Sequence, residues 1–134
     1  MNHINLIRRL FLLGVVGLAS VSVLADGAKV IPLMQKTLHG LENKEGVMLT
    51  VEYEPGISSK SHRHNAYSFV YVLEGAIVMQ VSGGNPITLA EGDVFYESPR
   101  DIHLVSRNAS DSEAAKFVVF TVKEKGAPVV MSLQ

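Results

Sequence analysis

The sequence contains no cysteine and no tryptophan among its 134 residues. The absence of cysteine excludes disulfide bonds, thiolate metal ligands and thiol chemistry. A domain of this size must therefore obtain its stability from a packed hydrophobic core. Basic residues are also few, 12 against 13 acidic ones, and no segment concentrates them. This balance predicts no nucleic-acid partner and no attraction to anionic lipid.

A hydrophobic run long enough to cross a membrane is missing as well. Residues 1–9 are basic, and the apolar or small residues 10–24 number 15, whereas a span needs roughly 20. The run ends in "VLADG", which places Val23 and Ala25 at the positions that a signal peptidase reads. We therefore predict that residues 1–25 are a signal peptide. The alternative is an uncleaved membrane anchor.

Cleavage after Ala25 would leave a single domain, residues 26–134, with a periplasmic or secreted location and no stable membrane insertion. The pair Arg8 and Arg9 partly resembles a twin-arginine signal, so the general and the twin-arginine export routes both stay open.

Alternation of apolar and polar residues with period two dominates the chain after a mixed lead-in at residues 26–45. No later segment shows a helical period. Short strands with frequent turn signals predict an all-β sandwich or small barrel. The apolar tail after Pro128 is expected to form an edge strand or to reach a second subunit, which favours a homodimer. The predicted strands are 47–53, 66–73, 76–82, 86–89, 94–97, 102–107 and 115–123.

The stretch "HRHNAYSFVYVLEG" holds His62 and His64 at the entry to a strand. Residues i and i+2 of a strand point to one face, so the two imidazoles can grip one ion. The alternative is a pair of structural histidines on a solvated edge. If the strand is regular, Ser68 shares their inward face and Tyr67 points outward.

Two stretches of this sequence resemble the motifs of the cupin superfamily. "GISSKSHRH" through Gly75 matches G-x5-H-x-H-x3-4-E-x6-G, except that Ser68 stands where the glutamate belongs. "GDVFYESPRDIHLVSRN" matches the second motif more loosely, because Pro99 falls one position late and Asp101 replaces a glycine. The resemblance covers about residues 47–122 and implies a single-domain jelly-roll β-barrel.

The same resemblance implies a metal ion held by His62, His64 and His103, without the usual carboxylate. Three imidazoles can hold a divalent Fe, Mn, Zn, Ni or Cu ion, and the sequence does not distinguish these. Ser68 is expected at most to bind a metal-bound water. Tyr67 and Glu97 are the weak candidates for a catalytic acid or base.

Two functions stay open at this point, because the fold does not decide between them. In the first, the metal binds a small oxygen-rich molecule and the protein is a dioxygenase, an isomerase or a lyase. In the second, the protein is a non-catalytic module that binds a small ligand or the metal itself.

Overall fold

The computed structural model describes residues 23–25 and 27–133, and every regular element among them is a β-strand. No helix of this part of the chain is long and apolar enough to cross a membrane. Of the predicted signal peptide, only residues 23–25 are among the described residues. The strands are β1 Val23–Ala25, β2 Ala28–Thr37, β3 Lys44–Tyr53, β4 Ser58–Ser59, β5 His62–Arg63, β6 Tyr67–Glu74, β7 Ala76–Val81, β8 Ile87–Ala90, β9 Val94–Glu97, β10 His103–Asn108, β11 Ala115–Glu124 and β12 Met131–Ser132.

The strands form two antiparallel sheets. The first has the order β1-β2-β3-β11-β6-β9, and the second has the order β12-β5-β10-β7-β8, with β4 also paired to β10. Neighbouring strands in each sheet are mostly not consecutive in sequence, as in a jelly roll. The expected all-β jelly-roll class is confirmed.

The core lies between the two sheets and follows the alternation of the strands. In β6, Val70 and Val72 point inward and are buried, while Phe69 and Tyr71 face solvent. Ile77 and Met79 of β7 meet them from the second sheet. Burial of each such side chain contributes about 1.5–3 kcal/mol relative to exposure. The alternation that predicted these strands therefore also defines the core.

Strand β2 was expected only as a mixed lead-in, and this expectation was wrong. Residues 28–37 pair along the whole of β3, with a register shift between Pro32 and Met34. Proline lacks the N–H that a regular ladder needs, so a bulge beside it is its usual place in a sheet. Most side chains of β2 are exposed, which is why no alternation marked this strand.

Gly75 makes the turn between β6 and β7, and the site depends on it for strand register. Its φ is 69°, and an added Cβ would lie 2.5 Å from the carbonyl oxygen of Ala114. No L side chain fits there, so glycine is required at this end of the first motif.

The apolar tail forms an edge strand of the same chain. Met131 pairs with Arg63 and Ser132 pairs with His62, while Val129 packs against the core. The C-terminus therefore covers the short strand that carries the first histidine of the motif.

Candidate metal centre

Two histidines from neighbouring strands, and a third just after one of these strands, converge at one end of the second sheet. His62 of β5 lies directly opposite His103 of β10 in the antiparallel register. His64 follows two residues after His62 and points to the same side, so the ring centroids of the two lie 4.8 Å apart. One nitrogen from each ring lies within 4.8 Å of the others, which is the spacing of a metal-ion site.

Backbone carbonyls determine which nitrogen of two of these rings carries the proton. Nδ1 of His62 lies 2.7 Å from the carbonyl oxygen of Lys60, and Nδ1 of His64 lies 2.9 Å from that of Val129. A carbonyl oxygen can only accept, so both Nδ1 atoms donate and both neutral rings keep a lone pair on Nε2. Both Nε2 atoms are therefore free to bind a metal.

These two lone pairs face each other across a short gap. Nε2 of His62 and Nε2 of His64 lie 3.2 Å apart, and two acceptors at that distance repel unless a cation stands between them. Two nitrogens bound at ~2.0–2.1 Å to one tetrahedral ion would lie about 3.3 Å apart. The residues present therefore fit a metal ion.

Burial favours the neutral form of His62. It lowers the pKa of His62, a direction that the neighbouring His64 and His103 reinforce, although the Lys60 carbonyl and Glu97 oppose it.

Glu97 of β9 completes the cluster from the other sheet. Its Oε1 lies 2.9 Å from Nδ1 of His103, and its Oε2 lies 3.5 Å from Nε2 of His64. The contact with His103 is short but lacks the alignment of a regular hydrogen bond. Burial by itself would raise the pKa of Glu97, but His103, followed by His64 and His62, outweighs it and holds the pKa below the usual value. The carboxylate is therefore ionised and faces the three rings.

His103 is the buried member of the triad, with 3% of its surface exposed. Its Nε2 lies 3.1 Å from the thioether sulfur of Met79, which is fully inside the core. A thioether is a weak acceptor and a soft neighbour, so it can orient the ring without competing strongly for a proton.

Ser68 and Tyr67 are adjacent in β6, and the structure places them on opposite faces of the sheet. Ser68 is 0% exposed and points inward, and its Oγ has no hydrogen-bond partner among the described residues. Tyr67 is 49% exposed on the outer face of β6. Tyr67 therefore lies outside the cluster, and of the two proposed catalytic candidates only Glu97 reaches it.

Asn108 and Asp101, the polar residues of the second motif, stabilise turns. The side-chain amide of Asn108 donates to the carbonyls of Tyr53, Glu54 and Glu113, and its oxygen accepts from the N–H of Ser110. Asp101 accepts from the N–H of Ser98. These contacts hold the ends of β10, the strand that carries His103.

The sequence did not identify three groups that contact the histidines: the carbonyls of Lys60 and Val129 and the thioether of Met79. Main-chain carbonyls of residues 60 and 129 carry no sequence signal, because every residue has one. Met79 reads as an ordinary core residue of β7, and its place beside His103 depends on the pairing of β7 with β10.

A large surface depression lies away from this cluster. It has a volume of about 620 Å³ and is lined by exposed or half-buried aromatic residues on the outer face of the first sheet, among them Phe69, Tyr71, Tyr96 and Phe120. Its lining includes no histidine, aspartate or glutamate, so size alone does not identify the functional site of this protein.

Comparison with known families agrees with this architecture. The family model of the cupin domain matches residues 49–121, which is more than half of the chain, so the protein belongs to the cupin superfamily. It is a cupin with a three-histidine cluster that is able to hold a metal ion. No curated protein sequence matches the chain.

Solved structures similar to this chain share its fold at low sequence identity. An RmlC-like cupin from Shewanella frigidimarina is 18% identical with a TM-score of 0.61, covering 82% of this chain and 89% of its own. The polyketide cyclase RemF from Streptomyces resistomycificus is 19% identical with a TM-score of 0.62, covering 87% and 82%. A predicted oxalate decarboxylase from Thermotoga maritima is 19% identical with a TM-score of 0.58, covering 72% and 80%.

Proposed function

We propose that this protein is an exported cupin that holds one divalent metal ion with His62, His64 and His103 and uses it to bind a small oxygen-rich molecule. The observation that carries the proposal is the 3.2 Å approach of the Nε2 atoms of His62 and His64, whose Nδ1 atoms both face carbonyl oxygens. When bound, the metal would supply a Lewis acid that attracts and polarises an oxygen of the ligand.

The roles of the protein residues follow from their contacts. The carbonyls of Lys60 and Val129 orient two imidazoles, and Glu97 faces the third ring with a negative charge. His62 and His64 are only partly buried, while His103 is buried. A ligand would therefore approach from the side of the first two histidines.

Metal analysis of the protein purified from its native compartment tests the proposal. We expect about one divalent ion per chain, and His62→Ala, His64→Ala and His103→Ala should each lose most of it. His39→Ala is the matched control, because His39 is exposed and lies outside the cluster. A wild-type protein without metal, or a His39→Ala loss as large as the others, would refute the assignment.

Catalysis by this site, as a dioxygenase, isomerase or lyase, is the finer form of the proposal. Cupin folds that resemble this one include a polyketide cyclase and a predicted oxalate decarboxylase, which supports action on oxygen-rich substrates. Among the described residues, Glu97 is the only acid or base candidate that touches the cluster, and it would have to serve as both ligand neighbour and proton carrier.

A non-catalytic binding module is the second candidate, and the tyrosines favour it. Tyr67, Tyr71 and Tyr96 all face outward, and the hydroxyl of Tyr53 is engaged by Ser59 and Ser106. Mass spectrometry of oxalate incubated with the metal-loaded protein, beside His64→Ala, separates the two for this one substrate class. Turnover by the wild type alone supports an enzyme, and unchanged but retained oxalate supports a binding module.

Export and dimerisation are further proposals that rest on the sequence. Export predicts a mature N-terminus at Asp26, which mass spectrometry of the periplasmic or secreted protein would detect.

A homodimer is supported by the exposed aromatic side chains of β6 and β9, since large exposed apolar patches often mark interfaces. Sedimentation of Tyr96→Glu against wild type would test that surface, and a monomeric wild type would contradict it.

A further inference from the structure

Glu97 is the cross-strand partner of Ser68, the residue that stands at the glutamate position of the first cupin motif. We propose that Glu97 is the fourth protein ligand of the metal and that it replaces, from the neighbouring strand, the glutamate for which Ser68 stands in this sequence. The inference rests on the proposed metal site and adds a ligand that neither motif assigns.

Strand register brings position 97 to the required place. Ser68 of β6 and Glu97 of β9 are direct partners in an antiparallel pair. Side chains of such partners leave the sheet on one face with their Cβ atoms about 5 Å apart. A glutamate at either position can therefore deliver its carboxylate to the same part of the interior. The small side chain at Ser68 leaves that space to Glu97.

The distances match a shared ion. Oε2 of Glu97 lies 3.5 Å from Nε2 of His64, and that nitrogen lies 3.2 Å from Nε2 of His62. Oxygen and nitrogen atoms bound to one ion at about 2.0–2.2 Å are separated by similar distances. Nε2 of His64 is thus within reach of both the Glu97 carboxylate and Nε2 of His62.

The charge of the site also requires a cation. Glu97 is 3% exposed, and its two oxygens lie 2.9 Å from Nδ1 of His103 and 3.5 Å from Nε2 of His64. No lysine or arginine side chain forms an ion pair with Glu97 among the described residues. An unbalanced buried charge is costly, whereas a divalent ion offsets it directly.

The decisive experiment moves the carboxylate between the two strands. Zinc affinity is measured by competition with a chelator for wild type, Glu97→Gln, and the exchange variant Ser68→Glu/Glu97→Ser. Glu91→Gln is the control for a lost exposed carboxylate. Removal of an outer partner of a metal ligand costs 10–100-fold in affinity, so loss of a true ligand should exceed about 100-fold. The exchange variant should return to within about tenfold of wild type, as a shared space predicts.

Cobalt absorption provides a second readout, because the visible spectrum of Co²⁺ reports the number and type of its ligands. Glu97→Gln should change the spectrum, and the exchange variant should resemble wild type. A loss below tenfold with an unchanged spectrum would overturn the proposal and leave Glu97 as a positioning residue for His103.

The outcomes separate the two levels of inference. If wild type binds no zinc, the metal site itself fails. If wild type and Glu97→Gln bind zinc equally while His64→Ala does not, the metal site stands and only the fourth ligand is wrong. If Glu97→Gln does not fold, the exchange variant decides, since failure of that folded variant to bind zinc would refute the shared position.

Discussion

Two carboxylates are equally buried in this barrel, and they have opposite surroundings. Glu45 and Glu97 are each 3% exposed. Glu45 of β3 is the direct register partner of Lys123 of β11, and it also accepts from the side chain of Gln35 and the N–H of Gly126. Glu97 instead lies 2.9 Å from Nδ1 of His103 and 3.5 Å from Nε2 of His64. The first carboxylate has a permanent cation and the second does not.

The difference distinguishes a structural pair from a binding site. Lys123 also donates to the carbonyl oxygen of Ala127, so the Glu45 cluster fastens the turn that leads into the C-terminal tail. All its acceptors are used within the chain. The cluster at Glu97 instead leaves lone pairs pointing at one another, which is the condition for binding an ion. Burial of an acid is therefore not by itself a sign of function.

The largest expected effect is the stabilisation of the folded protein by zinc bound at the histidine cluster. At a thousandfold excess over Kd, a ligand that binds only the folded state adds about 4 kcal/mol to the free energy of unfolding. Urea unfolding with zinc and with EDTA should show this increment in wild type and in Glu45→Gln, but not in His64→Ala. Loss of the increment in Glu45→Gln would mean that the two clusters are coupled.

The next effect is acid sensitivity at Glu45. The hydrogen bond from Lys123, followed by those from Gln35 and Gly126, lowers the pKa of Glu45 to about 2 from 4.5. A lowered carboxyl pKa contributes stability that is present above the unfolded value and is lost as the pH falls through the folded one. Wild type should therefore lose stability between about pH 4.5 and 2, measured by urea unfolding in EDTA.

Lys123→Met and Glu45→Gln test that cause. Both should flatten the acid limb, because neither retains a carboxylate paired with a lysine. Lys123→Met should also lower stability at neutral pH, since it leaves a buried charge without its cation. An acid limb unchanged in both variants would assign the effect to other carboxylates.

As a third effect, the histidine cluster and the Glu45 cluster should respond to acid at different pH values. Metal ligation needs deprotonated imidazoles, so zinc affinity should fall about tenfold per pH unit for each ring that becomes protonated. The pKa of His62 is lowered from 6.5, mainly by burial, so this ring resists protonation below that pH. We expect zinc release to begin below about pH 6.5, well before the Glu45 pair is lost. Chelator competition across this range measures it, and pH-independent affinity would contradict histidine ligation.

The smallest effect is expected at the unpartnered hydroxyls. Ser68 and Thr121 are register partners, both are 0% exposed, and neither hydroxyl has a partner among the described residues. Ser68→Ala should change stability by no more than about 1 kcal/mol and leave zinc affinity within a few fold, because serine is not a ligand. Metal loss as complete as in His64→Ala would make the Ser68 hydroxyl a true ligand.

Most of the strand pattern was predictable, since alternation follows directly from burial of one strand face. The predicted strand 94–97 coincides with β9, and 115–123 differs from β11 by one residue at its end. Strand β2 escaped because its side chains are exposed and Pro32 interrupts its ladder. The inward direction of Ser68 followed from parity, because the alternation of burial holds without a break from His62 to Val72.

The sequence by itself determined the three histidines as candidates and the loss of the motif glutamate, because both are local patterns of residue type and spacing. Only the tertiary structure decided where a carboxylate comes from. Glu97 reaches the cluster because β9 pairs with β6 at Ser68, and the tail reaches His64 through the carbonyl of Val129. Pairing of strands distant in sequence depends on how the whole core packs, so no local pattern specifies which partner a strand will meet.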